Sequence, residues 1–235
     1  MEKIALVNVG SNEDNIGRSP IFEDGTFVYL PIPEIFDEEN YDVSFRFPKY
    51  SDLGLEEFSE VDGYVHYDPN FEDKTYGHVN RGFGYETILS SLTEGDILCF
   101  YATLSFKGHS EKKLDWIHPK WGTYIIGLFE IKGVYTKEEF INLPYEERFQ
   151  FIFNPHFLRK EHGANLWIAG KKDKFGLLDK AFPLHNSENN QIGNDFVKNN
   201  FKTSGGKQAG NKNYYRHAMI CHDNLDKALD QILET

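Results

Sequence analysis

The fold is decided by residues 92–102, which read Leu92-Thr93-Glu94-Gly95-Asp96-Ile97-Leu98-Cys99-Phe100-Tyr101-Ala102. Gly95 and Asp96 predict a tight turn, and the apolar run 97–104 predicts a buried strand that starts directly after it. A second long apolar run covers residues 124–134, and the charged residues between the two runs predict a loop. We therefore expect residues 97–104 and 124–131 to be adjacent antiparallel strands at the centre of a curved sheet.

The rest of the chain predicts further strands and peripheral helices around this pair. The 20 Phe and 13 Tyr residues favour strands and half-buried sheet surfaces. The expected fold class is α+β with a β-rich core, either a mostly antiparallel curved sheet or a partly open barrel. Hydrophobic periodicity predicts strands at 3–9 and 26–32 and helices around 85–92, 136–142, 145–152 and 223–234.

No linker divides the chain, so we expect a single domain over residues 1–235. Residues 186–222 are rich in Asn, Gly, Ser and Lys and predict a long loop, and long loops in compact domains are often functional. Its part 196–222 carries no acidic residue. The candidate nucleic-acid contacts there are Lys198, Lys202, Lys207, Lys212 and Arg216.

Negative charge is concentrated at the start of the chain. Residues 1–75 hold 18 of the 37 acidic side chains but only 5 of the 25 basic ones, so the remainder is close to neutral. Non-specific duplex binding needs a broad basic face, which this layout does not predict. An acidic N-terminal third is instead compatible with docking a basic partner enzyme.

The compartment follows from what the sequence lacks. It has two cysteines, Cys99 and Cys221, and no paired-cysteine metal signature or disulfide framework. No apolar run approaches the roughly 20 residues that span a bilayer, and the N-terminus has no secretory leader. We expect a cytoplasmic protein that does not contact a membrane.

Eight stretches carry a family resemblance over most of residues 1–185. They read IALVNVG at 4–10, PIFEDGTF at 20–27, YLPIP at 29–33, HYDPNFE at 66–72, TYG at 75–77, LTEGDILCFYA at 92–102, NPH at 154–156 and LLDKAFPL at 177–184. In this order they resemble the third of the domains named "nucleotide modification associated", found in prokaryotic and phage genomes. The resemblance implies a DNA or RNA base-modification or phage-defence setting and leaves the reaction open.

A shorter likeness concerns residues 92–131. The order of turn, apolar strand, loop and second strand is similar to the core of the pseudouridine-synthase-associated barrel folds, the PUA, ASCH and EVE type. Those small barrels include readers of modified bases. This likeness implies an open barrel whose mouth could receive a base.

The densest polar segment is 64–82. If residues 63–67 form a strand, His66 and Asp68 point to one face, as a base with its orienting carboxylate or as two metal ligands. Asp68 and Glu72 could also serve as paired carboxylates in glycosidic-bond chemistry. The alternative is that Asp68 only pins its loop by accepting backbone donors. Because the nine histidines show no standard ligand spacing, the sequence predicts no metal site, and any cofactor stays unidentified.

The leading hypothesis is recognition of a modified nucleobase, nucleotide or single strand. The ring would stack on aromatic residues, and a polar wall would read its edge. The first alternative is an enzyme acting on a base or its glycosidic bond, and the second is an interaction subunit for a modification enzyme. The catalytic candidates are His66, Asp68 and Glu72, and the ligand-binding candidates are Tyr76, Arg81, Tyr101, Asn154 and His156.

Overall fold

The computed structural model describes residues 1–9, 18–34, 47–58, 63–79, 84–107, 121–159, 163–211 and 217–234. In these ranges nine strands form one mixed sheet, and six α-helices accompany it. The fold is α+β with a sheet-rich core, as predicted. The sheet is not closed into a barrel, so of the two expected forms the structure has the open sheet.

The centre of the sheet is the predicted hairpin. Strand β4 (Ile97–Phe106) runs antiparallel to β5 (Trp121–Thr136), with one irregularity in register after Phe100. This pairing confirms the prediction made from the two apolar runs. Because β5 is 16 residues long, it continues past β4, and its second half pairs with β6 (Leu166–Gly170).

The other strands extend the sheet in both directions. The strand β1 (Ile4–Asn8), predicted at 3–9, lies parallel to β4, and it is followed by β9 (Met219–Cys221) and the edge strand β8 (Lys202–Thr203). At the other edge, β3 (Thr75–His78) pairs antiparallel with β6. Two more strands complete the sheet: β2 (Ser19–Ile21) pairs parallel with β4, and β7 (Leu177–Pro183) pairs antiparallel with β5.

Four helices lie where the periodicity predicts them, and two are new. The predicted ones are α1 (Tyr85–Leu89), α2 (Lys137–Asn142), α3 (Tyr145–Phe149) and α6 (Leu225–Leu233), and the others are α4 (Pro155–Leu158) and α5 (Asp195–Asn200). A capping box starts α2, in which the Thr136 hydroxyl accepts from the Glu139 N–H and the Glu139 carboxylate accepts from the Thr136 N–H. None of the described helices is long and apolar enough to cross a membrane.

Two predicted elements were wrong. Residues 26–32 form no strand, because the Leu30 N–H donates to the Ser19 hydroxyl instead of to a neighbouring strand; the nearby strand is β2. The segment 186–222 is not one long loop, because it contains α5, β8 and β9. Apolar residues of this segment pack in the core, but they show no periodic pattern from which the elements could be predicted. The buried ones are Val197, Phe201, Ala209, Ala218, Met219 and Cys221.

Alternate side chains of β4 enter two different hydrophobic clusters. Leu98 and Phe100 belong to the cluster on one side, and Ile97 and Cys99 belong to the cluster that α6 covers. The sheet edge formed by β3 meets α4, since a Cβ added to Gly77 would contact the His156 ring. The candidate site lies at this junction.

Candidate functional site

Asp68 lies under the edge strand β3 and is held there by one of its two oxygens. Its Oδ1 accepts the N–H of Gly77 at 2.9 Å and the side-chain amide of Asn154 at 2.8 Å. These two donors come from β3 and from the start of α4, so Asp68 ties the two elements together. Asp68 thus accepts a backbone donor, as the structural alternative predicted, but both hydrogen bonds go to Oδ1.

Asn154 is the residue that joins the helix to this carboxylate. Its Oδ1 caps α4 by accepting the His156 N–H at 3.0 Å, while its amide nitrogen donates to Asp68 and, at 3.4 Å, to the Thr75 hydroxyl. Both ends of the amide are therefore occupied by the protein itself. Asn154 positions Asp68 and His156.

The His156 ring fills the space above Gly77. A Cβ at residue 77 would stand 2.6 Å from the His156 Cδ2, so the ring can keep this position only with glycine there. Its Nε2 lies 3.5 Å from the Asp68 Oδ2, and its Nδ1 is buried with no hydrogen-bond partner among the described residues. Burial lowers the pKa of His156; the Asp68 carboxylate opposes this shift, whereas His66 and Arg159 add to it.

His66 reaches the same place from the segment that precedes Asp68. Its ring stands at 89° to the His156 ring with centroids 4.9 Å apart. Its Nδ1 lies 2.5 Å from the Glu34 Oε2. The backbone holds this contact, since the Glu34 N–H donates to the Tyr64 carbonyl and the His66 N–H donates to the Ile32 carbonyl.

Arg159 completes the cluster from the end of α4. It follows His156 by three residues, and its Nη2 donates to the Glu34 Oε1 at 2.7 Å. The side chains of Glu34, Asp68 and His156 are 2%, 3% and 4% exposed, whereas His66 and Arg159 are 11% and 20% exposed. Solvent and small molecules therefore meet the cluster on the side of His66 and Arg159.

Three ligand-type atoms converge in this cluster. One side-chain atom each from His66, Asp68 and His156 lies within 4.8 Å of the other two. The sequence singled out all three residues, His66 and Asp68 as catalytic candidates and His156 as a ligand-binding candidate, and the structure brings them together. Glu34 and Arg159 were missed, because only the pairing of distant segments places them here.

Three predicted site residues lie apart from this cluster. Glu72 is exposed on the turn before β3. The Tyr76 ring is packed edge-on against Phe100, and its hydroxyl contacts the His78 Nδ1 at 3.3 Å. Tyr101 is fully buried in the cluster that α6 covers, where its hydroxyl donates to the His217 carbonyl. In this structure neither tyrosine offers an open face for a base, and Arg81 lies outside the described residues.

Three of the five predicted basic contacts, Lys198, Lys202 and Lys207, lie on or near β8 and α5. Lys202 and Lys207 are exposed, and Lys198 on α5 lies 3.9 Å from the Asp195 carboxylate. The turn after β8 packs against the start of α1, since a Cβ at Gly84 would overlap Ser204. Their role with phosphate stays a prediction, and Lys212 and Arg216 lie outside the described residues.

The family comparison agrees with the resemblance and extends it. A family model described as nucleotide modification associated domain 3 matches residues 3–227, which includes the segment 186–222 that the quoted stretches left out. No curated protein and no solved structure shows significant similarity to the chain. The name of the family associates it with nucleotide modification. With nearly its whole length matched, the chain belongs to the nucleotide modification associated domain 3 family.

Proposed function

We propose that this protein is an enzyme of nucleotide modification and that its reaction takes place at the His66–Asp68–His156 cluster. The observation that carries the proposal is the convergence of two imidazoles and one carboxylate within 4.8 Å in a nearly buried place. Burying such groups together costs free energy unless a task requires them. Clusters of this kind mark functional sites more often than structural ones.

The two oxygens of Asp68 support a role beyond structure. Oδ1 accepts both donors that pin the loop, from Gly77 and Asn154. Oδ2 faces the His156 Nε2 at 3.5 Å. An aspartate that served only the loop would direct both oxygens at backbone or amide donors. The second oxygen of Asp68 is instead directed at a titratable group.

The chemistry that fits this arrangement starts from a neutral histidine. Burial lowers the pKa of His156, which keeps its imidazole unprotonated and able to accept a proton. The Asp68 carboxylate would then stabilise the imidazolium that forms. Arg159, at the more exposed side, has the planar donor group that suits a phosphate, as a nucleotide substrate requires. Glu72 has no part in this centre.

Recognition of a modified base without turnover is the second candidate. A polar cluster that hydrogen-bonds the edge of a base rejects analogues that lack this edge, since its own groups would be left unpaired. The exposed Lys202 and Lys207 would then hold flanking phosphates of a single strand. The packed Tyr76 and Tyr101 weigh against this candidate, because the predicted stacking platform is taken up by the core.

The substitution Asp68→Asn tests the proposal. Asparagine keeps an Oδ1 for Gly77 and Asn154 but replaces Oδ2 with an amide, so the fold is retained while the charge is lost. Turnover is measured by mass spectrometry with nucleotides and with plain and modified oligonucleotides as substrates. We expect it to fall about 100-fold or more in this variant. Asp226→Asn, at an exposed position on α6, is the matched control and should retain full turnover.

Three outcomes separate the candidates. If the wild type shows turnover and Asp68→Asn abolishes it without changing the melting temperature, the result supports the enzyme as the function. Wild-type binding of a modified base without any product, lost in Asp68→Asn, supports recognition instead. Turnover that persists in Asp68→Asn shows that the reaction takes place elsewhere in the protein.

A further inference from the structure

The distance between Asp68 and His156 is too long for the bond that a carboxylate and an imidazolium usually form. A charged N–H···O bond measures about 2.7–2.9 Å, whereas the Asp68 Oδ2 and the His156 Nε2 are 3.5 Å apart. Two ligands of a tetrahedral Zn²⁺ ion, with bonds of about 2.0–2.2 Å, stand about 3.4 Å from each other. The observed separation therefore fits two ligands of a shared cation.

His66 has the partner that orients a metal-binding histidine. A proton on Nδ1 directed at the Glu34 carboxylate leaves the lone pair of the ring on Nε2. Histidines that bind metals usually donate their other ring N–H to a carboxylate or a carbonyl in this way. Glu34 thus orients the His66 ring, and the Arg159 Nη2 lies 3.4 Å from the same Nδ1.

The charge of the cluster also favours a cation. Arg159 and Glu34 form an ion pair at 2.7 Å, so their charges offset each other. Among the described residues of the cluster, the Asp68 carboxylate then places a negative charge beside the imidazoles of His66 and His156. The cradle at Gly77 holds the His156 ring in place.

We propose that His66, Asp68 and His156 bind a divalent transition metal ion such as Zn²⁺ or Fe²⁺. Two histidines and one carboxylate form a three-ligand set that leaves coordination positions open for water or substrate. Mg²⁺ and Ca²⁺ prefer sets made of oxygen ligands, so the site discriminates against them. The three atoms lie within 4.8 Å of one another, so binding would draw them closer together. The proposal rests on the proposed function for the location of the site only. With the ion bound, His156 and Asp68 serve as its ligands and no longer as a proton acceptor and its partner.

Metal titration of the purified full-length chain tests this inference. After treatment with a chelator, Zn²⁺ is titrated by calorimetry, and Co²⁺ is titrated with its absorption spectrum as a report of the coordination geometry. We expect one ion per chain and a higher melting temperature with Zn²⁺, because an ion that binds only the folded state stabilises it. Mg²⁺ and Ca²⁺ should give neither effect.

Three variants locate the ion. His66→Ala changes the most exposed ligand and is therefore the least disruptive to the fold; it should weaken Zn²⁺ binding by about 100-fold or more. Glu34→Gln keeps the shape but removes the charged acceptor of His66, and should weaken binding by about 10- to 100-fold. His222→Ala, at an exposed histidine directly after β9, should bind Zn²⁺ as the wild type does.

The outcomes distinguish this inference from the proposed function. No saturable Zn²⁺, Fe²⁺ or Co²⁺ binding by the wild type, or equal binding by His66→Ala, overturns the metal site. If the chelator-treated protein still modifies nucleotides and Asp68→Asn does not, the proposed function stands and the metal site falls. If the ion binds in the expected way but no nucleotide is converted, the metal site stands and the proposed function falls.

Discussion

Asp68 and Asp96 are both buried aspartates, yet the protein uses their carboxylates differently. The Asp96 Oδ1 accepts the N–H groups of Glu2 and Lys3, and its Oδ2 accepts the N–H and the hydroxyl of Thr93. All four donors belong to the turn before β4 and the start of β1. Asp96 therefore links the starts of the parallel strands β1 and β4. In Asp68, by contrast, Oδ1 accepts the structural hydrogen bonds and Oδ2 faces a histidine.

The hydrogen bonds to Asp96 also affect the pKa of its carboxyl group. Burial acts to raise the pKa of Asp96, but the bonds from Glu2, Thr93 and Lys3 together outweigh it and lower the pKa. Both oxygens of Asp96 accept bonds from the backbone and the Thr93 hydroxyl, and the Lys3 ammonium lies only at 3.8 Å from Oδ2, so this carboxylate is a structural element. A carboxylate with one oxygen left facing titratable side chains is a candidate for chemistry. The comparison gives a criterion for choosing among buried acids in the same fold.

The largest effect on stability is expected for Asp96→Asn. The amide retains one acceptor oxygen but presents its NH₂ group to two donors, so two bonds to a charged acceptor are lost. At about 1.5 kcal/mol for each, the free energy of unfolding in urea should fall by about 3 kcal/mol. Metal binding and turnover, measured on the folded fraction, should stay at the wild-type level. A loss below about 1 kcal/mol, or a loss of metal binding, would contradict the comparison.

A smaller loss of stability with a larger loss of site function is expected for Gly77→Ala. The added Cβ would stand 2.6 Å from the His156 Cδ2, so the ring must shift from its place beside Asp68. Overpacking of this kind costs about 2 kcal/mol, and urea unfolding together with Zn²⁺ titration would measure both effects. Gly205→Ala is the control, since nothing lies within 4 Å of its Cβ. Unchanged Zn²⁺ affinity in Gly77→Ala would show that the position of the His156 ring does not matter.

The smallest effect is the pH dependence of the Asp96 contribution. The lowered folded pKa means that the charged carboxylate stabilises the protein above its unfolded pKa of about 3.9. The difference in unfolding free energy between wild type and Asp96→Asn should be constant from pH 8 to about 5, and should shrink as the pH falls through 4 to 3. Urea titrations at four pH values measure this. A difference that grows at low pH would indicate a raised pKa instead.

The sequence was sufficient for the elements whose signals are local. The turn at Gly95-Asp96 and the two apolar runs around it predicted the central hairpin, and helical spacing predicted α1, α2, α3 and α6. The polar segment 64–82 contains two of the three residues that meet in the cluster, and the third, His156, stood out because it follows Asn154-Pro155. Such signals succeed because turn chemistry and side-chain periodicity act over a few neighbouring residues.

The composition of the site was decided by long-range pairing. Asp68 and Asn154 are 86 residues apart, and they meet only because β3 pairs with β6 and α4 packs on β3. Glu34 and Arg159 also reach the cluster through contacts between distant segments, and no local sequence pattern predicts them. Tyr76 and Tyr101 became core because their strands are covered, while Glu72 stayed exposed on a turn. Residue type gives the chemistry that a side chain can perform, but contacts between distant segments fix its burial and its partners.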